Sequence, residues 1–80
     1  MTADRFEAVV NALLERRPFY AFTLETRNGR LFEIDHPKAI EFQEGIIVFT
    51  APGAIPIWFD HDSVVHIFDC PAREVPVHPI

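Results

Sequence analysis

Pro18 divides this chain into two segments with different hydrophobic periods, and that division limits the fold more than any other feature. Before it, Phe6, Val9, Val10, Leu13 and Leu14 recur at i, i+3, i+4, i+7 and i+8, which is one stripe of an α-helix. Arg5, Glu7, Asn11 and Glu15 occupy the opposite face. Thr2 is placed to cap the first amides, with Asp4 in the first turn and Arg16 and Arg17 at the negative end of the dipole. Proline lacks an amide hydrogen and disfavours helical geometry in the residue before it, so the helix must stop there. A helix this short is marginal alone and needs a surface to cover.

After Pro18 the period is two. Tyr20, Phe22 and Leu24 alternate with Ala21, Thr23 and Glu25, and Phe32 and Ile34 alternate with Glu33 and Asp35. Between these runs, a two-residue Asn28-Gly29 turn would oppose Leu24 to Glu33 and mix apolar with acidic side chains on one face. A three-residue loop of Arg27, Asn28 and Gly29, with Gly29 left-handed, pairs Leu24 with Phe32 and Phe22 with Ile34 instead. The same logic at Gln43-Glu44-Gly45 predicts Phe42 opposite Ile46 and Ile40 opposite Val48. Around Pro52-Gly53 it predicts Val48 opposite Ile57 and Ile46 opposite Phe59, with Pro56 and Trp58 on the other face. His36-Pro37 bends the second strand, which restarts near Ala39. Asp60 to Ser63 form a polar turn, Val64 to Phe68 a last strand, and Pro71, Pro76 and Pro79 hold the tail extended.

These elements predict an α+β, mainly β, fold: an N-terminal amphipathic helix followed by a five-stranded, strongly bent antiparallel sheet or small barrel. Residues 1–70 read as one domain and 71–80 as a Pro-rich extended tail. The expected core is Phe6, Val10, Leu13, Phe22, Leu24, Phe32, Ile34, Val48, Ile57 and Ile67. Ile46 to Phe49 is apolar on both faces, so that strand is expected to be covered twice.

An 80-residue chain has room for one core, which contributes only about 3–5 kcal/mol unless a disulfide, metal or partner is added. Cys70 is the single cysteine, so no intrachain disulfide forms, and a lone thiol suits the reducing cytoplasm. With 49% hydrophobic residues, eight of them Phe, the composition points to self-association. Asp4, Arg5 and Glu7 interrupt any signal-like stretch at the N-terminus, and no apolar run is long enough to span a membrane. A net charge of −5 opposes polyphosphate at long range.

The order of parts resembles the Sm-like and SH3-like small barrels: a helix, five bent strands and a one-turn connection before the last. Arg17-Pro18-Phe19 leading to Phe22, then Asn28-Gly29-Arg30 and His36-Pro37, resembles a group of short uncharacterised bacterial proteins with that layout. The resemblance to the Sm family implies RNA binding through the loop after the second strand and the turn before the last. At these places the chain carries Lys38 beside Pro37, and Asp60-His61-Asp62-Ser63, with acids where the family has base.

Four groups of residues are candidates for chemistry. Asp60, His61, Asp62 and His66 form the densest polar cluster, but a five-residue spacing across a turn matches no strong metal motif, and a solvated turn capped by Asp62 or Ser63 explains it. Ser63, the sole serine, sits beside His61 and Asp62, yet consecutive turn residues do not converge as a triad does. Cys70 has no cationic neighbour to activate it. Arg27, Arg30 and Lys38, with Tyr20 or Phe19 nearby, are the one basic and aromatic grouping suited to single-stranded RNA. The reading that follows is a non-enzymatic interaction module that self-associates as a homo-oligomer through the edge near Val64, Val65, Ile67 and Phe68 or through the tail from Val75 to Ile80. No cofactor, metal, membrane or DNA partner is expected. An Sm-like RNA binder is the alternative, and a small metal-dependent or hydrolytic enzyme comes third.

Overall fold

The computed structural model describes residues 2–76, so the end of the tail from Val77 to Ile80 lies outside the described residues. Helix α1 runs from Ala3–Leu14, and its first turn is capped by Thr2, whose Oγ1 accepts from the Arg5 amide at 3.2 Å. At the other end Arg17 donates to the Leu14 carbonyl at 3.2 Å, satisfying an acceptor that the helix leaves open. Arg16 turns away to the C-terminal segment and pairs with Asp69 at 2.8 Å.

Six strands follow rather than five: β1 Phe22–Thr26, β2 Leu31–Ile34, β3 Ile40–Gln43, β4 Ile46–Ala51, β5 Ile55–Asp60 and β6 Val64–Phe68. They form two antiparallel three-stranded sheets, ordered β2-β1-β6 and β3-β4-β5. The expected bend at His36-Pro37 is a complete break. A turn closed by the Ala39 amide on the His36 carbonyl at 3.1 Å hands the chain from one sheet to the other, so the single bent strand becomes β2 and β3. A 3₁₀ turn, His61–Ser63, joins the second sheet back to the first.

The first hairpin has the expected register, with Leu24 opposite Phe32 and Phe22 opposite Ile34, and Gly29 at φ 81°. The next two registers differ from expectation by one residue each. Ile40 lies opposite Phe49 and Phe42 opposite Ile47, while Phe49 lies opposite Ile57 and Ile47 opposite Phe59. Both differences come from one strand. Relative to its neighbours β4 is turned over, so Ile47 and Phe49 enter the core and Val48 does not. Glu44 and Gly45, at φ 51° and 86°, make a two-residue turn on one side of β4. Ala54 at φ 61° lengthens the loop on the other side to three.

The core contains Phe6 and Val10 of the helix, Phe22, Leu24, Phe32 and Ile34 of the first sheet, and Ala39, Ile40, Ile47 and Phe49 from the second half. Leu13, Ile57 and Ile67 pack against it half-buried. Phe32 stacks on Phe59 at 5.0 Å between centroids and meets Phe49 edge-on at 5.6 Å, which joins the two sheets through rings.

The strand covered on both faces is β1, not β4. All five of its residues are buried, while β4 alternates between buried and partly exposed positions. The outer cover comes from the C-terminal segment. The Thr23 hydroxyl donates to the Cys70 carbonyl at 2.8 Å, and the Ala72 amide donates to Glu33 at 2.8 Å. Within that segment Ala72–Glu74 closes into a short 3₁₀ turn rather than staying extended.

Candidate functional site

Three places in the fold concentrate exposed apolar or polar side chains, and each begins with a strand end or edge. The first is the edge of β6, which pairs on one side with β1 and on the other, among the described residues, with no strand. Its register with β1 shifts between Glu25 and Thr26, so Val65 is an extra residue that the ladder does not use. The bulge turns Val65 outwards to 47% exposure. Helix α1 runs beside it and contributes Phe6 and Val9, the latter 36% exposed. Together with Val64, His66 and Ile67 these residues line an apolar groove of about 420 Å³. Three of the expected contact residues, Val64, Val65 and Ile67, therefore meet in one groove. Phe68 does not line it and packs instead on His66 at 5.5 Å.

The second place is the 3₁₀ turn at His61. Asp60 supplies the capping carboxylate, accepting from the Asp62 amide at 2.9 Å, in the role expected of Asp62 or Ser63. Ser63 closes the turn by donating to the Asp60 carbonyl at 2.6 Å. His61 is not a solvated side chain, being 17% exposed and held on three sides. Its Nδ1 lies 3.1 Å from Asp60 and 3.2 Å from the Gly45 carbonyl, its Nε2 3.1 Å from Asp62, and its ring tilts against Phe6 at 6.3 Å. The backbone amide of His61 also donates to Gly45 at 3.1 Å. This ring ties the β3–β4 turn, the β5–β6 turn and α1 together. The same geometry directs the Ser63 hydroxyl to a carbonyl and the His61 nitrogens to Asp60, Asp62 and Gly45, so serine and histidine are not paired as nucleophile and base. The Asp60, His61 and Asp62 donor atoms lie within 4.8 Å of one another, but they are spent on each other and on the turn amide. His66 stands apart on β6 and pairs across the strands with Glu25 at 2.8 Å.

The third place holds Arg27 and Arg30, one on each side of the β1–β2 turn. They line a groove of about 290 Å³ with Phe32, Trp58 and Phe59. Lys38 does not line it and sits on the corner between β2 and β3. The aromatic neighbours also differ from those expected. Tyr20 lies under Arg16 at 5.5 Å and Phe19 packs on Phe22 at 6.2 Å, whereas the rings that line the groove with the two arginines are Phe32, Trp58 and Phe59. The outward placement of Trp58 follows from its alternation with Ile57 and Phe59, so its exposure was legible in the strand pattern. Its position next to the first hairpin was not, because that depends on how the two sheets pack.

No model of a protein family, no curated protein and no solved structure matches this chain. Among the described residues, no helix is long and apolar enough to cross a membrane.

Proposed function

We propose that this chain is a non-enzymatic interaction module that self-associates, a second copy docking along β6. The observation that carries this reading is the apolar groove between α1 and the open edge of β6, with Val9 and Val65 turned towards solvent. The edge strands β5 and β6 are not equivalent. Strand β5 carries Pro56, a device that discourages strand addition, and β6 carries no proline. A small domain without a disulfide gains much from covering such a groove, and contact between identical patches closes across a two-fold axis. The half-buried lone thiol of Cys70 supports a reducing, cytoplasmic setting.

The order of the strands, with a 3₁₀ turn before the last, supports the Sm-like barrel resemblance as a reading of the architecture. RNA binding of the Sm kind is the lesser reading, because the turn before β6 presents Asp60 and Asp62. Light scattering at micromolar concentration tests self-association. A mass that is a multiple of 9.2 kDa is expected, falling to 9.2 kDa in Val65→Lys. A wild-type mass of 9.2 kDa overturns the reading.

A further inference from the structure

We infer that the groove between the β1–β2 turn and β5 binds a nucleotide, its base stacked on Trp58 and its phosphate held by Arg27 and Arg30. The chain carries a net charge of −5, yet this groove is lined by two of its seven cations and by no carboxylate. Neither guanidinium makes an ion pair among the described residues. Each is instead held by a neutral partner. Arg27 donates from Nε to the Asp62 carbonyl at 3.0 Å, which leaves its outer nitrogens to other acceptors. Arg30 lies over the Phe32 ring at 5.1 Å, and Phe32 is in turn stacked on Phe59. Two positive charges are therefore positioned without being neutralised, which is the arrangement that a phosphate completes with charge-assisted hydrogen bonds.

Trp58 is 61% exposed on the rim of the same groove. An exposed indole gains little from its position in the fold, and a base stacked on it removes apolar surface from water on both sides. A cavity of about 290 Å³ suits one nucleotide and not a protein helix. Asp60 and Asp62, in the turn that ends at Ser63 of the groove, direct their side chains to the turn amide and to His61. The nucleotide is either free or one unit of a single strand, and both present the same base and phosphate. The inference does not depend on the groove beside β6.

Trp58 is the only tryptophan, so its fluorescence reports directly on the site. AMP is expected to quench it saturably, and adenosine, which lacks the phosphate, to bind at least about tenfold more weakly. Arg27→Ala and Arg30→Ala should each weaken AMP about tenfold, and Lys38→Ala should leave it unchanged. Short oligoadenylate binding more tightly than AMP, with a salt slope near −0.7 per neutralised phosphate, assigns the site to single-stranded RNA. Weaker binding than AMP assigns it to free nucleotide. Circular dichroism shows that each variant remains folded, and Val65→Lys measured alongside separates this site from self-association. Absence of saturable quenching by both AMP and oligoadenylate overturns the inference. So does quenching that adenosine reproduces and that survives both arginine substitutions.

Discussion

Strands β1 and β5 invert the usual relation between composition and burial. The sequence of β1 is Phe-Thr-Leu-Glu-Thr, three of its five residues polar, and every one of them is buried. The sequence of β5 is Ile-Pro-Ile-Trp-Phe-Asp, almost wholly apolar, and none of its residues is fully buried. Position in the sheet explains both. Strand β1 is central, with the core on one face and residues 69–76 on the other, so its polar groups are enclosed and find partners. Strand β5 is an edge with one face turned to solvent, so Trp58 remains 61% exposed, while Ile55, on the opposite face, is 60% exposed where the strand begins at the loop. Apolar side chains are left outside in this way, whereas of the polar ones inside Thr23 holds the C-terminal segment and Glu25 pairs with His66 of β6.

Substitutions on the two strands test that contrast directly. Phe22→Ala removes a fully buried ring from β1 and should cost about 3–5 kcal/mol, read from the urea midpoint at constant slope. A loss below about 1 kcal/mol would mean that the core closes elsewhere. Thr23→Val keeps the shape of a fully buried side chain but deprives the Cys70 carbonyl of its donor, and should cost about 1–3 kcal/mol. The same variant should raise the rate of amide exchange in residues 69–76. If those amides are unaffected, the outer cover of β1 does not depend on this bond.

The turns give the next effect in size. Gly29 and Gly45 both adopt positive φ, and an added Cβ meets no heavy atom within 4 Å at Gly29 and only ordinary contacts at Gly45, the nearest at 3.5 Å. Alanine at either site should therefore cost about 1–2 kcal/mol through backbone strain alone, with asparagine costing less. A much larger loss at Gly45, measured by thermal melting, would show that His61 cannot yield there. The smallest effect belongs to β5. Trp58→Ala should change stability by no more than about 0.5 kcal/mol, since the ring is mostly exposed. A loss comparable to that of Phe22→Ala would end the contrast between the two strands.

Much of this architecture was legible in local pattern. The helix with its Thr2 cap, the first hairpin and its left-handed Gly29, and a change of direction at His36-Pro37 all follow from period, capping chemistry and the conformational limits of glycine and proline. In β1 Phe22 and Leu24 alternate with Thr23 and Glu25, and in β2 Phe32 and Ile34 alternate with Glu33, so a register error there would expose the core set. Strand β4 carries no such instruction, because Ile46, Ile47, Val48 and Phe49 read alike in both phases. Its orientation was decided by the turns on either side and by Phe42 and Ile57 packing from the neighbouring strands. The burial of Glu25 and Thr23, the joining of Arg27, Arg30 and Trp58 into one groove, and the anchoring of His61 between Gly45 and Phe6 also arise only when distant segments meet. Local sequence sets which conformations a segment can adopt, since steric and hydrogen-bonding limits act within a few residues. Which face is covered, and by what, is a property of the assembled layers, because burial depends on neighbours that the chain brings together only by folding.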